Sequence, residues 1–290
     1  MKYPFFLILV GFYSSFAQGD AALKMIDAER EEIQKSEMRR WENAQLLGTD
    51  AAQFSDASAN FDIHYVRMSL FVDPAVRYIK GDVRYGFRMK EKSDSVIMDL
   101  HNDLLVDSIF FRGNKISFGR TGNHGVRIRF PYVLEANTND SFQIFYQGIP
   151  PINNSTGAFF KGAHSGTPIV WTLSEPYGAR EWWPCKNNLT DKIDSLDIII
   201  SCPSQYQPSS NGSLISNTIN GALRQSYFRH RYPISSYLVA IAVTNYVINR
   251  DTVQVGTKTY DYLSFAYPEN ATAFFTNEKW SKQAYRLYSG

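Results

Sequence analysis

The side chains best placed to do chemistry crowd into one stretch, "WTLSEPYGAREWWPCK", Trp171–Lys186 of a 290-residue chain. Glu175 offers a carboxylate immediately before a proline. By residue type alone it reads as a loop carboxylate capping a nearby backbone N–H. Arg180 carries a planar guanidinium suited to bidentate pairing, which predicts a structural partnership with a carboxylate rather than a substrate contact. Trp182 and Trp183 are expected to pack, one on each side of the chain if it runs as a strand. Cys185 reads as a small buried hydrophobe.

A complete hydrolytic centre needs more than this stretch supplies. The five histidines, His64, His101, His124, His164 and His230, include no pair at the helical three- or four-residue spacing that opens a catalytic zinc site. A Gly-x-Ser-x-Gly elbow, a Walker loop and a dinucleotide-binding glycine pattern are all missing from the sequence. "KEKSD" and "TNDS" lack the regularly spaced oxygen ligands of a calcium loop. The residues therefore assign no catalytic group and no metal ligand to this chain.

The elements that must position the stretch are strands. From Asn60 the apolar residues recur with a period of two in "NFDIHYVRMSLFVDP". "YIKGDVRYGFRMK", "DSVIMDLH", "VDSIFFRG", "KISFG", "GVRIRFPY" and "DSFQIFYQG" follow, separated by Gly, Asn and Asp turns. This predicts an antiparallel β assembly. The pattern resumes in "SLDIIISCP", "LRQSYFRHRYP", "SSYLVAIAVTNYVINR" and "YDYLSFAYP", leaving Pro150–Thr190 as a loop-rich segment between two β runs. From Glu269 the pattern turns helical, with proline at the start.

The N-terminus, "MKYPFFLILVGFYSSFAQGD", has a lysine, a short apolar run and a small-residue site, which predicts a secretory signal peptide cut after Ala17. Its apolar run is shorter than the ~20 residues a membrane span needs. Residues from Ala21 to about Leu46 have a thin helical stripe, followed by a small-residue linker. Lys plus Arg number 30 against 28 Asp plus Glu, so no dominant field favours nucleic acid or an anionic membrane. The two cysteines, Cys185 and Cys202, are too few for a disulfide framework; one bridge between them is an alternative, and two buried free thiols are the expectation.

The run Glu175-Pro176-Tyr177-Gly178-Ala179-Arg180-Glu181-Trp182-Trp183-Pro184-Cys185 resembles the Glu-Pro-x-x-Ala-Arg-x-x-x-Pro-Cys signature of the N-terminal domain of aminopeptidase N-type zinc metallopeptidases, the gluzincins. "NFDIHYVRMSLFVDP" with "YIKGDVRYGF" looks like the family's opening strands, and "YPISSYLVAIAVTNY" is similar to its Pro-x-Ser-x-Tyr-Leu-x-Ala strand. Together these cover roughly Asn60 to Tyr267. One departure stands out, since "KNNLTDK" replaces the family's Asp-Glu-Pro run after Pro-Cys.

The resemblance implies a mainly β fold, an antiparallel or mixed saddle or sandwich with an N-terminal helical extension and a C-terminal helix. Together with the N-terminal pattern, it divides the chain into a signal peptide (1–17), a helical extension and linker (18–56), the β domain (57–267) and the start of a catalytic domain (268–290). It implies that Glu175 binds the α-amine of a peptide substrate, that Leu173 and Ser174 line the pocket for the first side chain, and that Pro176, Arg180, Pro184 and Cys185 are structural. The Gly-x-Met-Glu-Asn and His-Glu-x-x-His motifs, which would supply the second carboxylate, the base and the zinc ligands, are not in this sequence. Zinc is thus expected in a further domain, none being bound by this chain, and the chain alone is expected to be inactive. The resulting reading is the N-terminal segment of a secreted or periplasmic zinc aminopeptidase. Its rivals are a non-catalytic exported β module binding glycan or protein through its 18 Tyr and 20 Phe, and a scaffold of the same family that has lost catalysis.

Overall fold

The computed structural model describes residues 58–122, 124–151 and 158–288. The predicted signal peptide and the helical extension, residues 1–56, lie outside the described residues. In chain order the first strands are β1 (Phe61–Val72), β2 (Ile79–Met89), β3 (Ser93–Asp99), β4 (Leu104–Phe111), β5 (Asn114–Ile116), β6 (Phe118–Thr121), β7 (Gly125–Leu134) and β8 (Asn139–Gly148). They are followed by β9 (Phe159–His164) and β10 (Thr167–Thr172). Beyond the Glu-Pro stretch come β11 (Lys192–Ile193), β12 (Ser195–Pro203), β13 (Gln207–Ser210), β14 (Ser213–Asn220), β15 (Leu223–His230), β16 (Ile234–Ser235) and β17 (Ile241–Thr244). The last elements are β18 (Val247–Val255), β19 (Lys258–Ala266) and the helix α1 (Ala271–Tyr288).

An eight-stranded sheet in the order β14-β15-β12-β1-β2-β8-β4-β5 forms the frame. Its pairings are antiparallel except that β12 lies parallel to β1, so the sheet is mixed. The alternation in β1 changes phase after Ile63: Phe61 and Ile63 are buried, then Val66, Met68, Leu70 and Val72. A register shift between Ile63 and Tyr65 causes this, since one extra residue in a strand turns every later side chain to the opposite face. A three-stranded sheet, β3-β7-β6, covers part of the frame. Its Phe130 stacks on Phe87 of β2 at 5.6 Å and meets Phe111 of β4 at 4.9 Å.

The segment Pro150–Thr190, expected to be loop-rich, contains two strands. β9 and β10 form a hairpin in a four-stranded sheet, β13-β17-β10-β9. Interruption by Gly162, Ser165-Gly166 and Pro168 hides their alternation in the sequence. Pairing of Val170 with Val243 on β17 holds them in place.

Two compact units are present, one including residues 58–246 and the other including Val247 onward. In the second, β18 and β19 make an antiparallel hairpin carrying α1. Buried Glu278 of α1 accepts hydrogen bonds from Asn249 Nδ2 at 2.8 Å and from Ser264 Oγ. The helical switch predicted after Glu269 agrees with the start of α1. Among the described residues no helix is long and apolar enough to cross a membrane.

Candidate functional site

The sheet fixes the Glu-Pro stretch from below. β2 and β8 send two tyrosines to its backbone: Tyr85 donates its hydroxyl to Pro184 O, and Tyr146 donates to Trp182 O at 2.9 Å. Tyr146 reaches it by lying over Gly81, where an added Cβ would come within 2.3 Å of the ring. Both tyrosines are fully buried, and burial raises their hydroxyl pKa values, so they stay protonated donors.

Beyond the end of β10 at Thr172 the stretch is not a strand. A turn over residues 175–178 leads into one turn of 3-10 helix at Ala179–Glu181, and only Cys185 rejoins a ladder. Cys185 makes an isolated antiparallel bridge with Asp99, with N···O distances of 2.7 and 3.0 Å. Trp182 and Trp183 therefore do not alternate across a strand as expected. They share one interior, both fully buried, with ring centroids 5.9 Å apart and planes tilted by 51°. Burial of roughly 200 Å² per indole, at about 25 cal/mol per Å², gives each a gross contribution of several kcal/mol. The indole N–H of Trp182 donates to Ser174 Oγ at 2.9 Å, which satisfies that polar group in the interior.

This bond and Gly178 N–H to Ser174 O, at 2.8 Å, close the turn on itself. Glu175 stands at its exposed tip, before a cis Glu175–Pro176 peptide bond. Leu173 is 44% exposed beside it, whereas Ser174 is only 3% exposed and its hydroxyl is already engaged by Trp182. Of the three residues expected at a substrate, two are thus at the surface and one is underneath. Pro176 and Arg180 are half-buried, and Pro184 and Cys185 are buried.

Arg180 acts on two carboxylates, drawing down the pKa values of Asp99 and Glu181 against the upward push of their burial. The Asp99 carboxylate also accepts Asn187 N–H at 3.0 Å. Lys186 is buried after the motif, donating to Phe61 O at 2.7 Å and pairing with Asp191. "KNNLTDK" thus closes with an internal ion pair between Lys186 and Asp191.

Glu181 was not singled out by the sequence. Its carboxylate accepts the N–H of Ala158 at 2.8 Å. Burial pushes its pKa up to about 7, opposed by that hydrogen bond and by Arg180 and Arg77. Arg77 in turn donates to Pro150 O at 3.3 Å and Pro151 O at 2.5 Å. No signal in the sequence joins these residues, which come from separate parts of the chain.

Zinc does not fit the described residues, none of which form a group of three or more His, Cys, Asp or Glu side chains able to hold a metal. Cys185 and Cys202 are buried free thiols, and burial pushes their pKa values up, to about 12 for Cys202. A metal-binding thiolate is the opposite case. His101 and His124 stack at 4.1 Å, and each Nδ1 accepts a backbone N–H, from Asp103 at 3.3 Å and Asn102 at 3.1 Å.

Comparison with known proteins adds a family and a fold. Residues 61–238 match the profile of the peptidase M1 N-terminal domain. No curated protein matches the chain. Among solved structures, the M1 zinc metallopeptidase of Deinococcus radiodurans is similar with a TM-score of 0.63 and 21% identity, covering 74% of this chain and 51% of that one. A mutant of that protein bound to a Tyr-Ser-Ala substrate is matched to the same extent, with a TM-score of 0.63 at 21% identity. A two-domain M1 zinc metallopeptidase mutant bound to L-tryptophan also gives 0.63 at 21% identity, covering 74% of this chain and 52% of that one. This chain spans about half the length of these solved chains.

Proposed function

The chain belongs to the peptidase M1 N-terminal domain family, and on that premise we propose that it is the N-terminal part of an exported zinc aminopeptidase, in which Glu175 binds the free α-amine of the peptide. The observation carrying this reading is the placement of Glu175. It is an exposed carboxylate on a turn that Ser174, Gly178 and Trp182 close by hydrogen bonds and that two buried tyrosines support.

The chemistry suits the task. An α-amine with a pKa of about 8 is mostly cationic at neutral pH. A carboxylate facing it makes a charge-assisted hydrogen bond, discriminating against acylated or internal peptide nitrogen. Fixing the amine also fixes how far the first peptide bond lies from the reacting centre. Leu173, exposed beside Glu175, offers an apolar surface to the first side chain. Ser174 contributes through the turn it closes. In this reading the zinc and the groups that hold it come from a further domain, and this chain binds and orients the substrate.

Replacement of Glu175 by Gln in the full-length gene product tests the reading. KM for aminoacyl chromogenic substrates should rise roughly tenfold, the scale of a lost charge-assisted bond, while the fold is kept. Unchanged kinetics would remove Glu175 from the site.

A further inference from the structure

Glu181 is close to the proposed amine anchor in the chain, but its half-buried carboxylate is engaged by the protein itself. Its carboxylate accepts Ala158 N–H at 2.8 Å, while Ala158 O accepts Leu173 N–H at 3.0 Å. Ala158 is 1% exposed, so its own backbone N–H and C=O have little access to water. It also sits directly against the turn, since a Cβ added at Gly178 would lie 2.7 Å from the Ala158 Cβ. The links run in a closed circuit. Glu181 holds Ala158, Ala158 holds Leu173, Ser174 receives Gly178 N–H and Trp182 Nε1–H, and Trp182 follows Glu181 in sequence. Glu175 is the exposed residue at the tip of that circuit.

The charges facing Glu181 come from two elements. Arg180 is its neighbour in the 3-10 turn, and Arg77 comes from the connection between β1 and β2. Arg77 also donates to the carbonyls of Pro150 and Pro151. A half-buried carboxylate with a buried backbone donor and two guanidiniums nearby is a device for fixing geometry, because an unpaired buried N–H is costly and the partner set has few alternatives.

We propose that Glu181 is a positioning residue for substrate binding: by holding Ala158, and through it Leu173, it sets the orientation of the turn that presents Glu175 and Leu173 to the peptide N-terminus. This rests on the proposed role of Glu175, and the experiment separates the two. Glu181 itself does not touch substrate.

The test is a double-mutant cycle in the full-length gene product, with Glu175→Gln, Glu181→Ala and the double variant assayed on aminoacyl chromogenic substrates. Glu181→Ala should raise KM roughly fivefold with kcat nearly unchanged, and the double variant should be little worse than Glu175→Gln alone, because the two residues act through one contact. Glu181→Gln, which keeps an acceptor for Ala158 N–H, should restore most of the loss. If Glu175→Gln has no effect, the amine-anchor reading fails and this inference falls with it. If Glu175→Gln raises KM but Glu181→Ala leaves it unchanged, or if the two effects multiply independently, the positioning role is overturned while the anchor stands. Should Glu181→Ala not fold, Glu181→Ser, whose short side chain also gives up the Ala158 N–H bond, replaces it in the cycle, and independent effects there overturn the proposal equally.

Discussion

At the scale of residues, three side chains in one turn have separate tasks. Glu175 is exposed, Ser174 accepts the indole N–H of Trp182, and Glu181 accepts a backbone N–H from Ala158. Ser174→Ala should cost about 1 kcal/mol, because the fully buried Trp182 N–H loses its acceptor. A lowered denaturant midpoint at unchanged slope would register it. Glu181 gives a pH dependence with a definite sign. Burial raises its pKa from 4.5 to about 7, so the folded state holds a proton that the unfolded state has released. This group's contribution to stability is therefore greatest below its ordinary pKa, falls as pH rises through the window from 4.5 to about 7, and is level above it. In unfolding midpoints measured across that window, Glu181→Gln should lose that part of the decline. Glu175 could be singled out in the sequence because the family-like run around it is local, with every matching residue in one short stretch. Glu181 was not, because Ala158 and Arg77 meet it only after folding.

At the scale of elements, what holds the stretch is the sheet beneath it and the ion pair behind it. Lys186 and Asp191 have side chains only 4% and 6% exposed, and Lys186 also bonds Phe61 O at the start of β1. Lys186→Met should destabilise by about 3–5 kcal/mol, since Asp191 is left buried and unpaired. Adding Asp191→Leu should recover much of that loss in thermal melts. Gly178→Ala tests the turn itself. Its new Cβ would press on Ala158 Cβ at 2.7 Å and on Ser174 backbone at 3.3 Å. KM should rise in the full-length gene product with little loss of kcat. The long strands were readable from alternation, but β9 and β10 were not. "FFKGAH" and "TPIVWT" are short, carry Gly or Pro, and are stabilised by pairing with β17, far along the chain. The parallel contact of β1 with β12 is likewise tertiary, and no local pattern specifies it.

At the scale of the molecule, the β frame and the M1 N-terminal domain family were both readable, because the opening strands, the Glu-Pro run and the later Pro-x-Ser-x-Tyr strand keep their order over most of the described chain. The composition contributed less, since a nearly balanced charge sets no partner. In the proposed assembly this chain orients a substrate whose bond is broken by groups elsewhere. Residues 18–290 given zinc and aminoacyl chromogenic substrates should therefore release no product above the zinc-only rate. A crystal structure of the full-length gene product with a peptide bearing a free N-terminus tests the amine-anchor role of Glu175. A Glu175 carboxylate oxygen is expected within about 3 Å of the α-amine nitrogen, the distance of a charge-assisted hydrogen bond. An α-amine bound wholly by other residues, with Glu175 turned to solvent, would contradict it.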